Sequence, residues 1–192
     1  MDIASTIFWA VVVLIIFYLI NIYNHLVRIK HNVSKAWSNI DVLLKQRHDE
    51  IPKLVETCKQ YMEFEQDTLE KVMRARSQVS EARESEDVAG LGLAEGALRM
   101  GLGKLFALAE DYPDLKANDN FQHLQGRISS LESTIADRRE FYNESVNINN
   151  IGIEQFPDII VARVLGFGPR ELLEFDSADV ADVNLGELFN SP

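Results

Sequence analysis

The 192-residue sequence predicts an all-α protein: an N-terminal transmembrane helix followed by an antiparallel bundle of three long helices and a short C-terminal one. Three observations carry that expectation. Residues 3–20 form an unbroken uncharged apolar run, IASTIFWAVVVLIIFYLI. Beyond it, apolar residues recur in alternating steps of three and four through most of the chain. No stretch of any length shows the period-two alternation of a half-buried strand.

The apolar run comes first. An uncharged segment of about 18 to 20 residues, rising ~1.5 Å per residue, crosses the ~30 Å hydrocarbon core of a bilayer. A cleaved signal peptide would open on positive residues and close on a small-residue cleavage site. Here only Met1 and Asp2 precede the run, and its exit reads Tyr18-Leu19-Ile20-Asn21-Ile22-Tyr23. An uncleaved anchor fits better. Tyr18 and Tyr23 are placed for the interfacial belt, where rings sit among headgroups.

The segment after the run is basic. It carries Arg28, Lys30, Lys35, Lys45 and Arg47, with His25, His31 and His48 beside them and Asp41 as its one acid. The positive-inside rule therefore predicts the N-terminus outside and the body of the protein in the cytoplasm. Arg28, Lys30 and Lys35 join the two tyrosines as candidate membrane-interface residues. Each near-surface cation is worth about 1 kcal/mol against anionic lipid, though setting topology alone would explain them.

The first long helix follows. Val33, Trp37, Ile40, Leu44, Arg47, Ile51, Leu54, Cys58, Tyr61, Glu65, Thr68 and Val72 keep a 3.5-residue repeat, with Arg47, Glu65 and Thr68 as polar lapses. Leu43, Val55, Met62 and Leu69 widen the stripe toward that of a bundle helix. Pro52 lies inside the repeat and removes one backbone donor. Because the repeat keeps phase across it, the expected form is a kinked but continuous helix.

Glu84-Ser85-Glu86-Asp87 interrupts this pattern, and Asp87 or Ser85 is placed to cap the second helix. That helix shows Leu91, Ala94, Leu98, Leu102, Leu105 and Leu108 on one side, with Gly92, Gly96, Gly101 and Gly103 interspersed. A glycine inside a helix costs up to ~1 kcal/mol relative to alanine. Close approach of a neighbouring backbone would compensate, and a looser helix is the alternative. Tyr112-Pro113-Asp114-Leu115 then reads as a corner: Pro113 ends the helix, Leu115 plugs the bundle end, and Asn118 or Asp119 starts the third helix. Asp119 with Gln122 has the spacing of a capping box. Phe121, Leu124, Ile128, Leu131, Ile135, Arg139, Tyr142, Val146 and Asn149 carry the third seam. Gly152 and Pro157 close it, and a short helix over residues 158–165 precedes Gly166-Phe167-Gly168-Pro169.

Charge and composition narrow the function. Residues 1–48 carry a net +3, whereas the chain as a whole carries −11, so everything after residue 48 is strongly acidic. An acidic body lacks the clustered cations that displace counterions, so nucleic acid is not an expected partner. Cys58 is the single cysteine, which excludes an intrachain disulfide and a cysteine-rich metal site. Gly101-Leu102-Gly103-Lys104 lacks the glycine and hydroxyl residue that a phosphate loop needs, and it sits within a helical pattern. His25 and His31 are off the i, i+4 spacing of two ligands on one helical face. No catalytic, cofactor-binding or metal-binding residue is expected, and the protein is not expected to be an enzyme.

The order AWSNIDVLLKQRHDEIPKLVETCKQYMEFEQDTLEKVMRAR, LFALAEDYPDLKANDNFQHLQ, ESTIADRREFYNESVNINN and FPDIIVARVLGF closely resembles the LemA family over roughly residues 23–175. Trp37, Pro52, Tyr112, Pro113, Asp114, Asn118, Tyr142, Asn143, Phe156 and Pro157 fall on its motifs. Where the family often repeats a Tyr-Asn pair, this chain has Asn149-Asn150. The resemblance implies a single-span bacterial membrane protein with a small outer N-terminus and a cytoplasmic helical bundle. It supplies no reaction.

Three regions are therefore expected: residues 1–23 as outer N-terminus and span, residues 24–170 as the cytoplasmic bundle, and residues 171–192 as an acidic tail. The expected function is a membrane-anchored scaffold that self-associates and organises or remodels the bacterial cytoplasmic membrane. An adaptor that recruits a cytoplasmic protein is the alternative. Membrane lipids and further copies of the chain are the expected partners in the first case.

Overall fold

The computed structural model describes residues 2–175. Its regular elements are helices: α1 Ile3–Lys59, α2 Gln66–Glu84, α3 Val88–Ala109, α4 Pro113–Lys116, α5 Asp119–Glu154 and α6 Asp158–Leu165. The all-α expectation holds, and no strand occurs among the described residues. The described residues divide into two compact units, one drawn from residues 2–42 and 135–172 and the other from 43–134 and 173–175, with α1 and α5 contributing to both.

In the first unit, the part of α1 beyond the apolar run packs through Ile22, Leu26 and Ile29 against Ile153 of α5 and Ala162 of α6. One turn further, Val33, Ala36 and Ile40 are buried, as are Ile135, Tyr142 and Val146 of α5. Gly152 admits Ile29 closely: a Cβ there would lie 2.6 Å from Ile29 Cδ1. Gly166 ends α6 in the left-handed conformation, φ 71°, and Phe167 N–H returns to the carbonyl of Ala162. The asparagines at the end of α5 hold the segment that follows. Asn150 accepts from Arg170 N–H at 2.8 Å and donates to the Arg170 carbonyl at 2.9 Å, while Asn149 donates to Gly168. Tyr142 Oη donates to the Glu171 carbonyl at 3.0 Å.

In the second unit, the seam of α1 is buried at Leu44, Arg47, Ile51, Leu54 and Cys58. The helix passes through Pro52 without breaking. It stops, however, at Lys59 rather than running on to Val72. Tyr61 and Met62 N–H both return to the Cys58 carbonyl, closing a turn before α2 begins at Gln66. The repeat runs through the turn because spacing records a period without recording direction, and Met62, on the widened stripe, stays buried inside the turn. The expected first helix is thus two.

Other boundaries are set by single side chains. At the end of α2, Glu86 adopts φ 55° and Asp87 N–H bonds the Ala82 carbonyl, the six-to-one bond of a left-handed helix stop. Asp87 then caps α3 by accepting from Gly90 N–H at 2.9 Å. Asn118, not Asp119, caps α5: it accepts from Phe121 N–H at 3.1 Å, and Gln122 donates to the Lys116 carbonyl instead of closing a capping box. Leu115 is fully buried, as the corner required. Of the α3 glycines, Gly92 leaves room for the Glu174 carbonyl and Gly101 faces Val72 of α2, whereas nothing lies within 4 Å of a Cβ at Gly103.

Candidate functional site

The apolar run of α1 is bare. The most hydropathic 18-residue window in it has none of its residues buried, and it makes α1 the one described helix long and apolar enough to cross a membrane. Tyr18 and Tyr23 are exposed, as are Arg28, Lys30 and Lys35. The structure gathers two of these five around one ring. Tyr23 meets Phe167 edge-on at 6.2 Å between centroids, and Lys30 Nζ lies 5.9 Å over the same ring. Phe167 follows α6, so the basic root of α1 is joined to the last of the described helices. Arg28 and Lys35 stay apart from this group.

The motif residues fall into structural roles. Trp37 is half-buried against Tyr142, their ring centroids 5.5 Å apart. Asn143 is half-buried on α5, next to the buried Tyr142. Tyr112, half-buried, precedes Pro113 at the start of α4, and Asp114 is an exposed acid in its first turn. Asn118 caps α5 and also donates to Tyr61 Oη at 3.0 Å. Phe156 is exposed and joins Pro157 by a cis peptide bond ahead of α6.

The strongest electrostatic feature involves a residue that the spacing registered only as a lapse. Arg47 sits on the buried seam of α1, where a guanidinium needs a counter-charge. Glu95 of α3, also buried, supplies it by an ion pair to Nη2, and Glu132 of α5 accepts from Nη1 at 2.6 Å. Three helices are thus tied to one cation. Burial pulls the guanidinium down, but Glu95 and Glu132 more than offset it and hold Arg47 above its ordinary value. Burial raises the Glu95 carboxyl, and the charge of Glu132 adds to this against the pull of Arg47. Glu95 carries no periodic signal in sequence. A charged residue at Arg47's seam position was the available clue that a buried acid must exist.

Beside it, Pro52 leaves the carbonyl of His48, four residues earlier, without its helical donor. Arg76 of α2 takes that place: its Nε donates to the His48 carbonyl at 2.8 Å, and an Nη lies 2.6 Å from His48 Nε2. Burial first and Arg76 second hold His48 below the ordinary histidine value. Cys58 is buried, and burial pushes its thiol up to about 12, far from a reactive thiolate. No group of three or more His, Cys, Asp or Glu side chains able to hold a metal ion occurs among the described residues.

These motifs match a known family model. The model of the LemA family covers residues 36–185. The chain belongs to the LemA family. It is similar to magnetosome protein MamQ 2 of Paramagnetospirillum magneticum, 24% identical over 190 residues, covering 87% of this chain and 70% of that one. It is also similar to protein LemA of Metamycoplasma hominis, 27% identical over 168 residues, 87% of this chain and 75% of the relative. A shorter match, 32% identical over 74 residues, joins it to magnetosome protein MamQ of Magnetospirillum gryphiswaldense, across 38% of this chain and 27% of that one. LemA membership and the bare apolar helix together describe a membrane-associated helical protein.

Proposed function

We propose that this chain is a single-span scaffold that self-associates and organises or remodels the bacterial cytoplasmic membrane. The observation that carries the reading is α1 itself. One helix holds a bare apolar run at its start and the buried seam of a bundle at its end. Its basic root supports an N-terminus outside and the bundle in the cytoplasm. The similarity to magnetosome proteins supports an organising role over a catalytic one. Sizing the detergent-solubilised protein with its detergent mass subtracted tests the scaffold reading. A defined oligomer is the expected result, and a clean monomer at all concentrations would remove it.

An adaptor reading has one observation of its own. Phe64, in the turn between α1 and α2, is 92% exposed beside a groove of about 710 Å³ that includes Met62, Leu69 and Met73. Exposed apolar surface of this kind suits a protein partner. Phe64→Ser would then release a co-purifying protein while leaving the oligomer intact.

A further inference from the structure

α6 presents an apolar face that no described residue covers. Ile160 is 55% exposed, Val164 78% and Leu165 52%, although Val161 and Ala162 of the same helix pack inward. Together with Leu19, Ile20 and Tyr23 of α1, these exposed residues line a groove of about 430 Å³. Ile16 of α1 completes its wall. The α1 side of the groove is therefore the C-terminal end of the apolar run.

We infer that α6 is a membrane-embedded element, inserted among the acyl chains of the leaflet that surrounds residues 16–23 of α1. The inference rests on the reading of the apolar run as a span and carries it further. Depth is the argument. α6 packs on α1 through the cluster of Ile22, Leu26 and Ala162, and its exposed face shares a groove with Ile16, Leu19 and Ile20, within the stretch that must sit in hydrocarbon if α1 spans. A bilayer enclosing those residues encloses the groove and its other wall. The sequence of α6 suits that place. DIIVARVL has apolar side chains on both its α1-facing and its outward sides, and Arg163 has a long stem that lets its charge reach the headgroups. The clamp that follows fits the same level: Phe167, between Tyr23 and Lys30, marks where ring and cation meet the interface. The occupant of the groove is lipid acyl chain. On this inference the anchor is a span with a short embedded helix beside it, which widens the protein's footprint in one leaflet only.

Depth-dependent quenching tests this in the full-length protein, reconstituted in phosphatidylcholine and phosphatidylglycerol vesicles with brominated acyl chains. An environment-sensitive fluorophore is attached at Val164→Cys, at Ile160→Cys in a second protein, at Val13→Cys in the span and at Asp137→Cys on the polar surface of α5. Cys58, being buried, does not compete for label. Expected are quenching at Val13 and, at Val164 and Ile160, on the order of half as much or more, with none at Asp137. Quenching at Val13 with solvent-like emission at both α6 positions would overturn the inference and leave the span reading standing. Blue-shifted but unquenched α6 labels would also overturn it, because a second protein surface would then fill the groove. Absence of quenching at Val13 would remove the span reading, and the inference with it. Unchanged far-ultraviolet circular dichroism confirms that each labelled variant is folded.

Discussion

Removing the guanidinium at Arg47 would leave Glu95 and Glu132 facing each other in the interior of the second unit. Breaking a buried pair by deleting one partner costs about 3–5 kcal/mol. Arg47→Met should therefore lower stability by roughly that amount at neutral pH, measured by denaturant unfolding in detergent. The loss should shrink at acid pH, where the Glu95 carboxyl, pushed up by burial, takes its proton. The sign for Glu95 follows from its raised value. A carboxyl that holds its proton more tightly when folded stabilises fully below its unfolded value and loses that contribution as pH rises through the folded one. Glu95→Gln should flatten this dependence while keeping Arg47 paired to Glu132. An equal loss for Arg47→Met at both pH extremes would contradict the charge argument. His48 runs the other way. Its lowered value means its contribution is present above the ordinary histidine range, about 6.5, and is lost as pH falls.

The Pro52–His48–Arg76 arrangement is a second prediction at this scale. Arg76→Met leaves the His48 carbonyl unpaired, at a cost of about 1–2 kcal/mol. In a Pro52→Ala background the restored N–H supplies the missing donor, so Arg76→Met should cost less there. A double-mutant cycle with no coupling would show that Arg76 acts elsewhere. Arg47 was visible in the sequence as an exception to its seam. Arg76 was not, because its function depends on a contact made across two helices.

Helix ends and turns set the element scale. Glu86 occupies the left-handed position of a helix stop, which glycine fills without steric cost. Glu86→Gly should raise the melting temperature, gaining up to about 1 kcal/mol from the relieved conformation. One position later, Asp87→Ala should cost about 1 kcal/mol by uncapping α3. These opposite signs at neighbouring residues would be lost if the connection were merely loose. The seam from Val33 to Cys58 and the cap at Asp87 were legible in sequence because both depend on local spacing. The turn after Lys59 was hidden, since no glycine or proline marks it and Tyr61, Glu65 and Thr68 keep the period across it. The α5 cap moved from Asp119 to Asn118 for a related reason. Either side chain can cap, and the choice fell to Asn118, whose amide also reaches Tyr61.

At the scale of the whole molecule, α1 joins an apolar run made for lipid to a seam made for protein. Leu131→Pro should disrupt α5 by about 3 kcal/mol or more, because its N–H and its buried side chain both belong to that helix. Thermal melting followed by circular dichroism would read the loss. Two unit boundaries fall within α1 and α5 and a third lies after residue 172, whereas the expected boundary at residue 24 follows composition. The acidic residues Asp176, Asp179, Asp182 and Glu187 of the expected tail lie outside the described residues. Its first residues are not loose, for Leu173 is buried and Glu174 packs onto Gly92.

The helical class, the apolar run, the seam of α1 through Cys58 and the family were all readable from the chain before it folds. Each of these is written in composition, in ordered motifs or in spacing along one element, and so needs no partner to be read. Folding was needed to show that Glu95 and Glu132 answer Arg47, that Arg76 repairs the gap left by Pro52, and that α6 lies beside the end of the apolar run. Those are contacts between residues far apart in the chain. Their energies come from burial and pairing, which exist only once the helices have met.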